Sequence, residues 1–256
     1  MLNFEELKDF LNEKSDIYNN LEFIQDDPIQ IPHRFSSKQD IEIAGFLAAT
    51  ISWGNRKAII KSADKMLDIM GNSPYDFVKN YSENDLKSIE AKSIHRTFNG
   101  EDFVYFIRQF NRIYKENESL EDLFIIKDSE NNFYHAIERF RAQFLNIEKH
   151  RSHKHVSSPY KNSSSKRIIM FLRWMVRNDN RGVDFGIWGN IDSKHLSIPL
   201  DVHTGNISRK LGLISRTQND WKTVLELDEI IRKFDEKDPA KYDFALFGLG
   251  VTKELF

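Results

Sequence analysis

Apolar residues recur at helical spacing through nearly the whole chain, and one stretch says how such helices must meet. Residues 41–52, IEIAGFLAATIS, read as a buried helix whose small residues Ala44, Gly45, Ala48 and Ala49 let neighbouring helices approach closely. The run ends at Trp53-Gly54-Asn55, where glycine is a ready helix stop. A first helix carries Phe4, Leu7, Phe10 and Leu11, and an irregular segment follows with Pro28, Pro32 and the IPHRF turn. Further helices are predicted over 57–70, 74–80, 102–116, 132–147, 166–177, 202–211, 221–225, 228–234 and 241–249. Trp174 and Trp188 are predicted core residues, and Asp184 in VDFGIW a turn residue. Strand-like alternation is scarce, and 11 glycines with 6 prolines are few for 256 residues. The expectation is an all-α protein with no internal repeat and no low-complexity tail.

A chain of this length can bury the core of one large domain or of two packed lobes. With 30% charged and 40% hydrophobic residues it reads as globular rather than disordered. The start, MLNFEELKDFLNEK, is acidic and amphipathic, unlike a secretory signal, and no apolar run nears the roughly 20 residues that cross a bilayer. A soluble, cytoplasmic protein without a membrane partner is expected. The sequence has no cysteine, which excludes disulfides, a thiol nucleophile, cysteine-ligated zinc and ordinary iron–sulfur clusters. Its 8 histidines form no H-E-x-x-H pattern, and neither a metal nor a cofactor is expected.

The net charge is −2, yet residues 149–181 hold nine Lys or Arg against one acid, Asp179, with His150, His153 and His155 among them. Such a local excess is the footprint of a phosphate-binding face or, equally, of a solvated basic loop. The polar, serine-rich part of it, 149–165, marks a loop or a boundary between lobes.

The stretch 198–213, IPLDVHTGNISRKLGL, sets Asp201 immediately before a helix, and Lys166 opens another helix after the polar turn 162–165. A lysine and an aspartate at two helix starts suit amine nucleophilic catalysis; they also suit two ordinary helix ends.

These residues carry a resemblance. IPLDVHTGNISRKLGL resembles the segment of the helix-hairpin-helix DNA glycosylase superfamily, which includes endonuclease III, that bears the catalytic aspartate. SSSKRIIMFLRWM is similar to the second helix of that hairpin, IEIAGFLAATISWGNRKAIIKSADKML to the long central helix and the turn facing the extruded nucleotide, and KYDFALFGLG to the late helix closing the second lobe. The combination of SSPYKNSSSKRIIMFLRWMVR, VDFGIW, IPLDVHTG and KYDFALFGLG also resembles a bacterial domain-of-unknown-function family usually placed in that superfamily.

The resemblance implies a two-lobed helical glycosylase-like fold with a modified helix-hairpin-helix element and a cleft between lobes. It implies one lobe over 41–177, a second over 1–40 plus 198–256, and a connecting insertion over 178–197. Some features depart from the pattern. The turn KNSSSK lacks the glycines of the superfamily hairpin, the loop between Lys166 and Asp201 is longer, and Asn206 stands where many relatives carry arginine.

The function so implied is a DNA-repair glycosylase with abasic-site lyase activity, acting on double-stranded DNA with a damaged or abasic site and flipping a base into the inter-lobe cleft. Lys166 is the expected Schiff-base nucleophile and Asp201 the assisting carboxylate, also a helix cap. A lysine amine attacks only when neutral, and a helix start beside Arg167 disfavours its charge. Tyr160, Lys161, Ser163, Ser164, Ser165 and Arg167 are expected on the DNA backbone, with Arg173 and Arg177, one helical turn apart, extending that contact. Trp53, Asn55 and Arg56 are candidates to touch or wedge beside a flipped base, with core packing the equal alternative for Trp53. His203 is expected to orient Asp201 or to cap local backbone. The rival readings are a non-catalytic DNA-binding protein on the same scaffold and a helical scaffold whose basic loop meets protein partners.

Overall fold

Side-chain caps written into the sequence start many of the helices. Asn3, Ser37, Asn55, Ser82, Asn99, Asp201 and Asp220 each accept a hydrogen bond from the main-chain N–H three residues on. At Asn3, Ser82 and Asn99 the bond is reciprocated by Glu6, Asp85 and Asp102. Each such cap contributes about 1 kcal/mol by satisfying an otherwise orphaned donor. The structure, a computed structural model, describes residues 2–146 and 150–252, so Ile147 of the predicted 132–147 helix and Lys149 of the basic stretch lie outside the described residues.

The helices are α1 (Phe4–Tyr18), α2 (Glu22–Gln25), α3 (Lys38–Thr50), α4 (Arg56–Ile69), α5 (Pro74–Asn80), α6 (Glu83–Glu90), α7 (Gly100–Glu116), α8 (Tyr134–Phe144), α9 (Lys166–Val176), α10 (Val202–Lys210), α11 (Trp221–Phe234) and α12 (Tyr242–Thr252). The strands β1 (Ser93–His95) and β2 (Phe98–Asn99) pair antiparallel between α6 and α7, with Ser93 opposite Asn99. The fold is mostly helical, as expected, but α2, α6 and the small hairpin are additions to the predicted elements. The helices predicted over 221–225 and 228–234 are one, because Leu227 continues a buried stripe of Trp221, Val224, Ile231 and Phe234.

The chain forms two compact units: Ile24–Ile125 with Ala136–Ser157, and Met1–Phe23, Ile126–His135 with Ser158–Phe256. These boundaries differ from the implied lobes, since α9 and the segment 178–197 belong with α1, α10, α11 and α12. Ion pairs from Arg173 and Arg177 tie the end of α9 to Asp184 and, further along the chain, to Asp243.

In the unit with α3, the Phe46 ring lies 5.3–6.0 Å from those of Phe106, Phe110, Phe140 and Phe144, all nearly or fully buried. One turn before Phe46, the fully buried Glu42 carboxylate accepts from Tyr114 Oη (2.8 Å), the Leu120 N–H (3.0 Å) and Ser119 Oγ. Burial, and then Glu42 itself, holds the Tyr114 phenol well above its ordinary pKa, so it stays a donor.

In the other unit α12 is buried through Phe244, Ala245, Leu246 and Leu249. Two glycines permit its contacts: a Cβ on Gly248 would lie 2.3 Å from the Tyr18 ring of α1, and one on Gly250 would lie 2.8 Å from His203 Cβ of α10. On α11, the buried Asp228 accepts from Ser197 Oγ at 2.6 Å and lies 3.7 Å from the Arg232 guanidinium. Burial outweighs both partners and pushes its carboxyl up to about 6.

Two outcomes are expected. Glu42→Ala leaves three buried donors without an acceptor and lowers the unfolding free energy by about 3–5 kcal/mol in urea denaturation, with Glu42→Gln costing less. A loss under about 1 kcal/mol would remove Glu42 from the core's hydrogen bonding. The second outcome concerns pH. Folded Asp228 keeps its proton to a higher pH than unfolded Asp228, so its contribution is full at low pH and fades as pH rises toward about 6. Between about pH 4 and pH 7 the wild type should lose up to about 3 kcal/mol relative to Asp228→Asn, read from paired denaturation curves. A pH-independent difference would refute the raised carboxyl.

Candidate functional site

α9 begins differently from the capped helices. The residue before it, Ser165, is buried and left-handed (φ 48°), and no side-chain oxygen caps the helix. A 3-10 turn at Pro159–Lys161 leads into Asn162, also left-handed (φ 60°). The glycine-free turn KNSSSK therefore reaches positive φ twice, at a residue that tolerates it well, Asn162, and at one that tolerates it less, Ser165.

The turn is held by bonds to distant residues of the same unit. Asn162 donates to Asp220 (2.9 Å) and its carbonyl accepts from the Trp221 N–H (3.3 Å), while Ser163 forms an isolated antiparallel bridge with Asp220. Ser164 Oγ donates to the Leu200 carbonyl at 3.4 Å. That bond ties the residue two before Lys166 to the residue one before Asp201, so the starts of α9 and α10 are joined. Asn219 braces the second start by donating to the Asp201 carbonyl at 2.8 Å.

Asp201 is half-buried, and its Oδ1 accepts from the Thr204 N–H at 2.8 Å. Its other oxygen has no partner among the described residues. Lys166 is half-buried in the first turn of α9. Beside it, burial lowers the Arg167 guanidinium to about 10. His203 is exposed, with its ring 6.3 Å from Phe247 and edge-on to it; no hydrogen bond joins it to Asp201 or to local backbone.

Arg173 and Arg177 require a correction. Each is only 2–3% exposed, and neither faces solvent where a DNA phosphate would sit. Arg173 pairs with Asp184 (3.1 Å) and Asp243, while Arg177 pairs with Asp184 (3.1 Å), Asp238 (2.8 Å) and Asp179 (2.8 Å). Both guanidiniums also lie over the Phe244 ring, at 4.4 and 5.4 Å. Asp184 is thus the buried centre of a network rather than a simple turn residue. Burial pushes up the carboxyls of Asp184 and Asp243, the latter to about 7, and Asp201 is among the charges that raise Asp243. Trp174 and Trp188 are core residues, as predicted.

The basic stretch is divided between the two compact units. Residues 150–157 belong to the unit with α3, and the rest from 158 to the other. Arg151 lies 2.9 Å from the buried Asp102, which also accepts from Ser152 Oγ (2.8 Å) and lies 3.3 Å from His155. Burial opposes ionisation of Asp102, but His155, the Asn99 N–H and Ser152 outweigh it and hold the carboxyl below its ordinary value. Arg181 pairs with Asp16. Lys154 and Lys161 are exposed.

Trp53, Asn55 and Arg56 fall in the unit with α3. Trp53 is half-buried, stacked on His155 (5.9 Å) and edge-on to His95 (5.1 Å). His95 Nε2 donates to the Trp53 carbonyl (3.0 Å), which leaves Nδ1 to accept from Ser62 Oγ (3.0 Å). Asn55 is exposed and caps α4, and Arg56 is half-buried.

Tyr160 is 56% exposed. Its hydroxyl lies 2.7 Å from His135 Nδ1 and its ring 4.9 Å from Tyr134, which in turn lies 5.3 Å from Trp221. Sequence reasoning missed Tyr134, His135 and Trp221 here, because helix periodicity assigns them to helices but not to one another. Among the described residues, no group of three or more His, Cys, Asp or Glu is arranged to hold a metal ion, and no helix is long and apolar enough to cross a membrane.

No curated protein and no solved structure matches the chain. Residues 27–252 match the model of one family, described as a protein of unknown function, DUF2400, and the chain belongs to that family.

Proposed function

We propose that the chain is a DNA glycosylase with abasic-site lyase activity, with Lys166 as Schiff-base nucleophile and Asp201 as assisting carboxylate. The observation that carries this reading is the Ser164–Leu200 hydrogen bond, which joins the two helix starts where these residues stand. The free second oxygen of Asp201 supports it further, because capping α10 leaves that oxygen available for a proton or a developing positive charge. The turn over 162–165, with Ser163 and Ser164 half-buried and Lys161 exposed, offers hydroxyls and a cation to DNA phosphate.

In this reading the target nucleotide leaves the stack, since its anomeric carbon is otherwise unreachable. Neutral Lys166 Nζ bonds to that carbon, the glycosidic bond breaks, and the base departs with a proton. Opening of the sugar gives an imine, and loss of the adjacent proton expels the 3′ phosphate by elimination. Asp201 stabilises the developing cation and moves the protons. At a site already abasic, the amine condenses with the aldehyde and releases water.

Borohydride reduction on a duplex with one abasic site should cross-link the wild type covalently, and Lys166→Ala should abolish the product. Asp201→Asn keeps a good cap, so the fold should survive while trapping slows by about 10²–10⁴-fold. A wild type that gives no cross-link, or a Lys166→Ala variant that traps equally well, removes the assignment. Duplex affinity should fall with salt, and Lys161→Ala should reduce the slope of log K against log salt by roughly 1. An unchanged slope would take Lys161 off the phosphate backbone.

A further inference from the structure

A cavity of about 610 Å³ opens within the unit that holds α9, between the 126–135 segment, the 159–162 turn and the start of α11. Its volume falls in the range of small-molecule sites. The walls combine groups of several kinds. Tyr160 presents an exposed ring, and beside it stands His135, whose Nδ1 is taken by the Tyr160 hydroxyl. Leu225 is 44% exposed and supplies apolar surface. Asn131 and Asn162 bring carboxamides, each able to donate and accept. Lys222 is exposed and has no ion-pair partner among the described residues.

We infer that this cavity binds a nucleoside phosphate, with the base against Tyr160 and Leu225 and the phosphate toward Lys222. The ligand class follows from the wall chemistry. A flat aromatic ring takes the face of any base, carboxamides meet the polar edge of a heterocycle, and a lone ammonium takes an anion as a point charge. A purely apolar ligand would strand the amides and the ammonium, and inorganic phosphate alone would leave the ring and Leu225 unused. The same chemistry has two sources, a free mononucleotide or one unit of a DNA strand. Asn162 stands both at the rim and at the head of the turn before α9, so a strand on that turn could deliver a nucleotide here. The inference goes beyond the lyase reading, because the cavity needs neither Lys166 nor Asp201 in order to bind.

Calorimetric titration of the full chain with adenosine 5′-monophosphate, adenosine, inorganic phosphate and a single-stranded decathymidylate tests it without any cleavage readout. The mononucleotide should bind more tightly than either adenosine or phosphate. Tyr160→Ala, at an exposed position, should weaken it at least tenfold with an unchanged melting temperature. Lys222→Ala should weaken the mononucleotide while leaving adenosine unaffected. Mononucleotide binding identifies a free-nucleotide site; decathymidylate binding alone, still lost in Tyr160→Ala, identifies a strand site. Binding of neither, or binding indifferent to both substitutions, overturns the inference.

Discussion

Two buried guanidinium groups, four residues apart at the end of α9, meet two buried and two half-buried carboxylates, and the geometry of the candidate site depends on that meeting. Burying two cations is costly unless every donor finds an acceptor in good geometry. Arg177 satisfies this with a forked contact to Asp238 and further bonds to Asp184 and Asp179; Arg173 does so through Asp184 and Asp243. The partners come from the loop after α9, from the turn before α12 and from α12 itself. The network therefore fixes the rotation of α9 about its axis, and with it the direction in which Lys166 leaves the first turn. Removing either arginine would strand buried carboxylates, a change that costs about 3–5 kcal/mol when a buried pair loses one member.

The charges in that network do not balance. Two cations face four acids, and the fully buried members, Asp184 and Asp243, are where a proton costs least to keep. Burial is the main cause that raises Asp243, and the nearby Asp201 and Asp184 carboxylates add to it. Asp201 thus stands at the edge of a region that holds spare negative charge near neutrality. A positive charge developing beside Asp201 would be favoured by more than Asp201 alone.

Much of this fold was legible in the sequence, and the failures have specific causes. The start of α10 could be read because an aspartate cap is a local, three-residue signal, and α3 could be read because its apolar run is long and rich in small residues. Helix α6, ENDLKSIE, is short and mostly polar, so periodicity gave little signal, and β1 and β2 are too short to alternate. The basic stretch misled for a different reason. A count of charge cannot tell a solvated arginine from one whose acid lies at 184, 238 or 243, and Arg173 and Arg177 are of the second kind.

The site itself was half legible. Asp201 and Lys166 could be named as helix-start residues, but what joins them could not. Positive φ at Asn162 and Ser165 has no glycine to announce it, and the Ser164–Leu200 bond spans thirty-six residues. Both starts also hang on one turn that looks unremarkable in sequence, Asn219-Asp220: Asp220 holds Asn162 on one side, and Asn219 holds the Asp201 carbonyl on the other. Asn219 is itself fixed by Arg209, at 2.6 Å, and Asp220 by Arg216, at 2.7 Å. A pair of residues that must act together gains from supports that set their separation before any ligand arrives, and misplacement by about 1 Å can cost 10²-fold in rate. By that argument Asn219 and Asp220, for which no chemistry is proposed, would set the precision of the proposed site.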